Sequence, residues 1–131
     1  MQLSKFTDYT FRVLIYMAQN PEELYTVERL AANLSVSEHH LKKIIQKLAK
    51  TDYINSAKGR TGGLKLGLSP EEISLGDVLS LTEENLNIVE CFQTETACRL
   101  LDKECKLKAI VQQSLEQFIA EFRKYTLQDL I

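Results

Sequence analysis

The residues of this sequence best suited to chemistry are its three cysteines. Cys91, Cys98 and Cys105 all fall in the run CFQTETACRLLDKEC, and six residues separate each pair. Thiolate sulfur is a soft ligand for zinc or an iron–sulfur cluster, and it is also the nucleophile of redox exchange. Cysteine can equally pack as a small hydrophobe, but Glu90, Glu95, Arg99 and Asp102 make this stretch a poor core segment. An odd number of cysteines argues against a disulfide framework and for metal or thiol chemistry. Three readings stay open on spacing alone: a cluster or other metal, a zinc site with one further ligand, or redox thiols without a metal. A cysteine enzyme fits poorly. No His with Asn or Asp is placed around any thiol, and no GxGxxG or GxxxxGK[ST] cofactor loop is present.

The elements that must position these thiols follow from composition and pattern. A chain of 131 residues with 44% apolar residues is one domain with a helical extension. No run of 18 apolar residues exists to cross a membrane. The opening MQLSKFTDYT lacks an apolar stretch with a cleavage site, so a cytoplasmic chain without a signal peptide is expected. The net charge of −2 is unevenly spread. Between Ser35 and Leu66, seven basic residues (Lys42, Lys43, Lys47, Lys50, Lys58, Arg60, Lys65) face two acids, Glu38 and Asp52. That segment carries +5 and the remainder −7, the footprint of a nucleic-acid surface on an acidic protein.

From Phe6 to Met17, the residues Phe6, Thr10, Val13, Leu14 and Met17 recur at helical spacing. Asn20-Pro21 ends this helix, and Asp8 lies in its first turn, where a carboxylate suits the positive helix end. Thr26 can cap a second helix to about Asn33. A turn through Ser35-Val36-Ser37 follows, with Val36 buried. Ser37 then caps a third helix, Glu38 to Lys50, with Leu41, Ile44, Ile45 and Leu48 inward. This is helix-turn-helix organisation, whose second helix presents its first turn to base edges. Here that turn offers Ser37, His39 and His40, with Lys42 and Lys43 behind them. Strands Tyr53 to Ala57 and Leu64 to Leu66 flank a glycine-rich tip, a wing that can bring Lys58, Arg60 and the backbone at Gly62 to phosphates or into a minor groove. A short helix is expected from Ser74 to about Glu83, with Asn85 to Glu104 the least regular part. A long helix from Cys105 to Tyr125 follows, with Leu107, Ile110, Val111, Leu115, Phe118, Ile119 and Phe122 on its stripe. That stripe is too apolar for a solitary arm, and a second copy would bury it. Thr126 and Asp129 cap a last turn.

FTDYTFRVLIYMA at Phe6 to Ala18, GRTGGLKLG at Gly59 to Gly67, ISLGDVL at Ile73 to Leu79 and TLQDL from Thr126 resemble, in order, the motifs of the Rrf-type winged-helix regulators. The resemblance covers essentially the whole chain and is closest to the family's nitric-oxide-sensing branch. It implies a mainly α fold with a small β-hairpin: a winged helix-turn-helix head over 1–83, a cluster-binding cysteine loop over 84–105, and a dimerisation helix and tail over 106–131. It also implies a homodimeric transcriptional repressor, not an enzyme, that binds double-stranded operator DNA and answers to nitric oxide. An iron–sulfur cluster is implied on Cys91, Cys98 and Cys105, with 4Fe-4S favoured and 2Fe-2S the alternative. In that branch an aspartate of the first helix of the other subunit completes the ligands, and Asp8 matches it. Oxygen destroys such clusters, so a sample handled in air is expected to be apo. Cluster-biogenesis regulators of the same family use a histidine three residues after the third cysteine, where this chain has Lys108. Six residues between cysteines is longer than the family's usual spacing, an insertion a surface loop can absorb.

Overall fold

The helix α1 (Lys5–Ala18) forms the centre of the head, and the computed structural model, which describes residues 1–93, 98 and 105–131, packs the three following helices, the second wing strand and the C-terminal turn against it. Ser4 caps it, its hydroxyl oxygen accepting the Thr7 N–H at 3.1 Å. Thr7, Thr10, Val13, Leu14, Met17 and Ala18 are buried. Phe6, expected on this inward face, is only partly buried against it.

The next two helices form as their caps dictate. Thr26 caps α2 (Val27–Leu34) and Ser37 caps α3 (Glu38–Leu48), each accepting a backbone N–H from three residues on. Between them Ser35 takes a left-handed conformation, φ 52°. This sharp C-terminal cap drops Val36 into the core. α3 stops at Leu48, two residues short of the expected Lys50, because Ala49 and Thr51 turn the chain toward the wing.

The wing pairs β1 (Ile54–Ala57) antiparallel with β2 (Gly63–Leu66), Ile54 opposite Leu66 and Ala57 opposite Gly63. Alternation buries Ile54, Leu64 and Leu66, while Asn55 to Ala57 face outward. Tyr25 adds a bridge to Leu64 on the far side, so a segment before α2 steadies the hairpin. Gly59 holds φ 111° at the tip. A Cβ on Gly62 would sit 2.2 Å from the Ala57 carbonyl oxygen, so glycine there closes the hairpin.

A 3-10 turn at Pro70–Glu72 leads to α4 (Leu75–Thr82), capped by Ser74. A second 3-10 turn, Glu90–Phe92, contains Cys91. Within the expected 84–105 loop, residues 94–97 and 99–104 lie outside the described residues. α5 (Lys106–Phe122) has 17 residues, about 25 Å at the usual rise. It ends at Phe122 rather than Tyr125 because the chain folds back there. The Leu75 N–H donates to the Tyr125 carbonyl at 3.0 Å and the Leu127 N–H to the Ile73 carbonyl at 2.9 Å. The tail turn Leu127–Leu130 carries the expected Thr126/Asp129 capping box. Leu127 is fully buried in the head's core, a contribution of about 1.5–3 kcal/mol. Beside this joint α4 and α5 touch so closely that a Cβ on Gly76 would lie 2.2 Å from Arg123 Cγ and 2.8 Å from its backbone nitrogen.

The architecture is therefore mainly helical, with one two-stranded hairpin among the described residues, as the sequence implies. No helix among them is long and apolar enough to cross a membrane.

Candidate functional site

One face of the head collects exposed donors. Leu41, Ile44, Ile45 and Leu48 anchor α3 in the core, which turns Ser37, His39, His40, Lys42 and Lys43 outward. The Ser37 oxygen is engaged in capping, accepting the His40 N–H at 3.3 Å. Lys42 approaches Glu38 at 4.0 Å across one helical turn. His40 lies 6.0 Å, centroid to centroid, from Tyr9 of α1, and His39 6.1 Å from His40. Lys58 and Arg60 stand exposed on the wing tip. Among the described residues, no carboxylate pairs with Lys43, Lys58 or Arg60.

Two lysines that raise the charge of this segment are otherwise engaged. Lys65 pairs with Glu22 at 3.2 Å. Lys47 pairs with Glu84 at 2.5 Å and lies over the Phe6 ring, 5.7 Å from its centroid. The Lys47 ammonium holds the Glu84 carboxyl below the usual carboxylate range. Both acids lie far from their lysines in sequence, so local charge counting could not find these pairs. On the side of the hairpin where Tyr25 sits, Arg29 binds Glu23 at 2.6 Å and stacks over the Tyr25 ring. That hydrogen bond pulls the Glu23 carboxyl down, and burial pushes the Tyr25 hydroxyl up.

The three cysteines are all free thiols, neither buried nor fully exposed. Cys91 sits in the 3-10 turn after α4. Cys105 is the N-cap residue of α5, its sulfur accepting the Lys108 N–H at 3.4 Å. None of the three belongs to the hydrophobic core. Three accessible sulfurs on one segment are a donor set that fits a thiolate-held cluster. Asp8 is on the outer side of α1's first turn, where its carboxylate binds Arg12 Nη2 at 2.8 Å, both side chains about half exposed. Arg12 also covers the Tyr9 ring, 5.6 Å from its centroid. No three metal-binding side chains among the described residues converge on one point. Sequence reasoning overlooked Arg12, although an Asp followed four residues on by an Arg is a recognisable helical pair.

The sequence profile of the Rrf2 family, described as an iron-dependent transcriptional regulator, matches residues 3–131. The chain belongs to the Rrf2 family. It is 39% identical to the HTH-type transcriptional regulator NsrR of Bacillus subtilis strain 168, over all of this chain and 90% of that one. With NsrR of Geobacillus kaustophilus the identity is 42%, over all of this chain and 90% of the relative. Solved structures share the fold of this Rrf2 chain. CymR, the global cysteine regulator of B. subtilis, superposes with a TM-score of 0.76 at 24% identity, covering 99% of this chain and 95% of CymR. T. potens IscR gives 0.77 at 20% identity, covering 99% and 85%. The chain is thus an NsrR-like, DNA-binding transcriptional regulator.

Proposed function

We propose that this regulator is a homodimeric repressor whose operator affinity is set by a nitric-oxide-sensitive iron–sulfur cluster. The observation that carries this reading is the set of free thiols on the segment between α4 and α5, in a chain about 40% identical to NsrR regulators over its full length. Cys91, Cys98 and Cys105 would hold the cluster, 4Fe-4S in type, with Asp8 of the partner subunit as the fourth ligand. When bound, the cluster supplies iron open to attack by nitric oxide.

The chain's own residues do the rest. Arg12 binds Asp8 through Oδ2, and the carboxylate has a second oxygen to offer as a ligand. The cysteine segment follows α4, and α4 and α5 are locked together at Gly76 and Arg123. A change in how the cysteines are held therefore moves the two heads relative to each other. A dimer reading half-sites about one helical turn apart is sensitive to that spacing.

The dimer surface is α5. None of its residues is buried, and Leu107, Ile110 and Phe118 are 65%, 59% and 37% exposed. Beyond its contacts with α4, a 17-residue helix with an unburied apolar stripe is marginal in water. A groove of about 690 Å³ between α5 and the segments around Leu3 and Leu86–Ile88 is open to receive the same stripe of a second copy.

The full-length protein, purified without oxygen, is expected to be brown, to bind its operator, and to lose that binding when nitric oxide is added. A colourless protein after anaerobic reconstitution with iron and sulfide would leave redox thiols as the reading.

On the DNA face, Lys43 and Arg60 are assigned to phosphates, and His39 and His40 to base edges. Lys43→Ala and Arg60→Ala are each expected to weaken operator binding with an unchanged visible spectrum. Each should lower the slope of log K against log salt by about 0.9. His40→Ala should instead relax base discrimination, a change of about 1–3 kcal/mol per bidentate contact. Salt titrations of binding to cognate and scrambled DNA separate the two classes. Unchanged affinity and slope in the Lys43→Ala, Arg60→Ala double variant would remove this face as the DNA surface.

A further inference from the structure

Glu83 and Glu84 stand where α4 ends and the segment carrying Cys91 begins, and their carboxylates hold different parts of the head. Glu83 is the C-cap residue of α4. Its Oε2 accepts the Ser4 N–H at 3.0 Å and the Thr7 hydroxyl at 2.7 Å. Thr7 is fully buried and Ser4 is the N-cap of α1, so the carboxylate completes the start of the helix whose first turn carries Asp8. Glu84, one residue on, binds Lys47 Nζ. Lys47 belongs to α3, the helix offered to DNA, and its ammonium is seated on Phe6 of α1.

We propose that Glu83 and Glu84 are positioning residues through which the placement of the cysteine segment sets both α1's first turn and the DNA-reading helix of the same chain. The inference rests on the function proposed above only for what moves the segment. Consecutive residues anchored to two elements cannot both follow a displaced segment without either breaking a contact or dragging the element along. The Glu83 contacts are at 2.7 and 3.0 Å and weaken steeply once stretched, so a shift of about an ångström suffices. The contribution of Glu84 is positional rather than stabilising, because its side chain is 81% exposed and exposed ion pairs add little to stability. Glu83 has a further consequence. Tension on one protomer's cysteines reaches that protomer's own Asp8, the residue proposed to complete the partner's cluster, so the two sites of a dimer are linked.

The test uses the full-length protein with Glu83→Gln, Glu84→Gln, Lys47→Glu and the exchanged pair Glu84→Lys with Lys47→Glu. Glu71→Gln, on the exposed turn before α4, is the control. Two quantities are read: the ratio of operator affinities between cluster-loaded and metal-free protein, and backbone amide exchange in the metal-free protein. Glutamine keeps the shape of glutamate, so the Gln variants are expected to fold and to retain visible absorbance. Glu84→Gln and Lys47→Glu should each lower the affinity ratio about fivefold or more, and the exchanged pair should recover it. Glu83→Gln should also lower the ratio and should speed exchange in α1's first turn. Glu71→Gln should change neither. A wild-type ratio in Glu83→Gln and Glu84→Gln, or no recovery in the exchanged pair, overturns the proposal. If the wild-type protein itself shows no difference between loaded and metal-free forms, the cluster reading fails instead. Amide exchange then decides this one: wild-type protection of α1's first turn in Glu83→Gln overturns it.

Discussion

Replacing Cys91, Cys98 or Cys105 singly with alanine is expected to abolish visible cluster absorbance and to reduce operator affinity to that of the metal-free protein. The loss corresponds to the full coupling between cluster and DNA, a factor of about 5–150 in typical allosteric systems. The fold should survive each change, because no cysteine lies in the core and substitutions outside such sites usually shift stability within about 0.5 kcal/mol. Cys105 has a second role to separate out, since its sulfur caps α5. Cys105→Ser keeps a capping oxygen but replaces a soft ligand with a hard one. It should therefore preserve the thermal transition and still lose the cluster. Circular dichroism melts, visible spectra and operator titrations of the four variants distinguish ligand from packing residue. A Cys98→Ala protein with full absorbance would remove Cys98 from the ligand set.

The head was legible because its signals are local. Ser4 excepted, the caps of α2, α3 and α4 were visible as a Ser or Thr before an apolar period. The inward faces of α1 and α3 followed from three- and four-residue spacing, and the wing from alternation around a glycine-rich tip. Element ends were less legible, for physical reasons that lie elsewhere in the chain. α5 ends early because Tyr125 and Leu127 pair with Leu75 and Ile73 across the fold. No periodicity within α5 encodes that. The same holds for charge. Counting from Ser35 to Leu66 gave the sign of the surface, but Lys47 and Lys65 are held by Glu84 and Glu22, so the exposed cations that carry the DNA proposal are Lys43, Lys58 and Arg60. For the cysteines, spacing supplied the donor types. The proposed cluster and its fourth ligand came from family resemblance, since a ligand contributed by a second chain would leave no spacing to read.

Asp8→Ala separates two readings of one carboxylate. In the chain Asp8 is a half-exposed helix-start residue paired with Arg12. If that were its whole role, its loss would cost below about 1 kcal/mol, the scale of a first-turn carboxylate and an exposed ion pair, and would leave the cluster unchanged. As the partner's fourth ligand it is a hard oxygen among soft thiolates, and the weakest-held corner of the site. Asp8→Ala is then expected to give a cluster held by three cysteines, with an altered spectrum and faster bleaching in air. Operator affinity should fall while colour remains, because the link between one head and the other's cysteine segment is gone. The decisive measurement is complementation. In a heterodimer of Asp8→Ala and Cys91→Ala chains, the Asp8→Ala chain supplies three cysteines and the Cys91→Ala chain supplies Asp8. One intact site forms only if the ligand crosses the dimer. Recovery of the wild-type spectrum at half the wild-type intensity, absent from both homodimers, establishes the crossing. No recovery, together with a wild-type spectrum and air stability in the Asp8→Ala homodimer, makes Asp8 the partner of Arg12 alone and moves the search for the fourth ligand to Glu90, the exposed carboxylate beside Cys91.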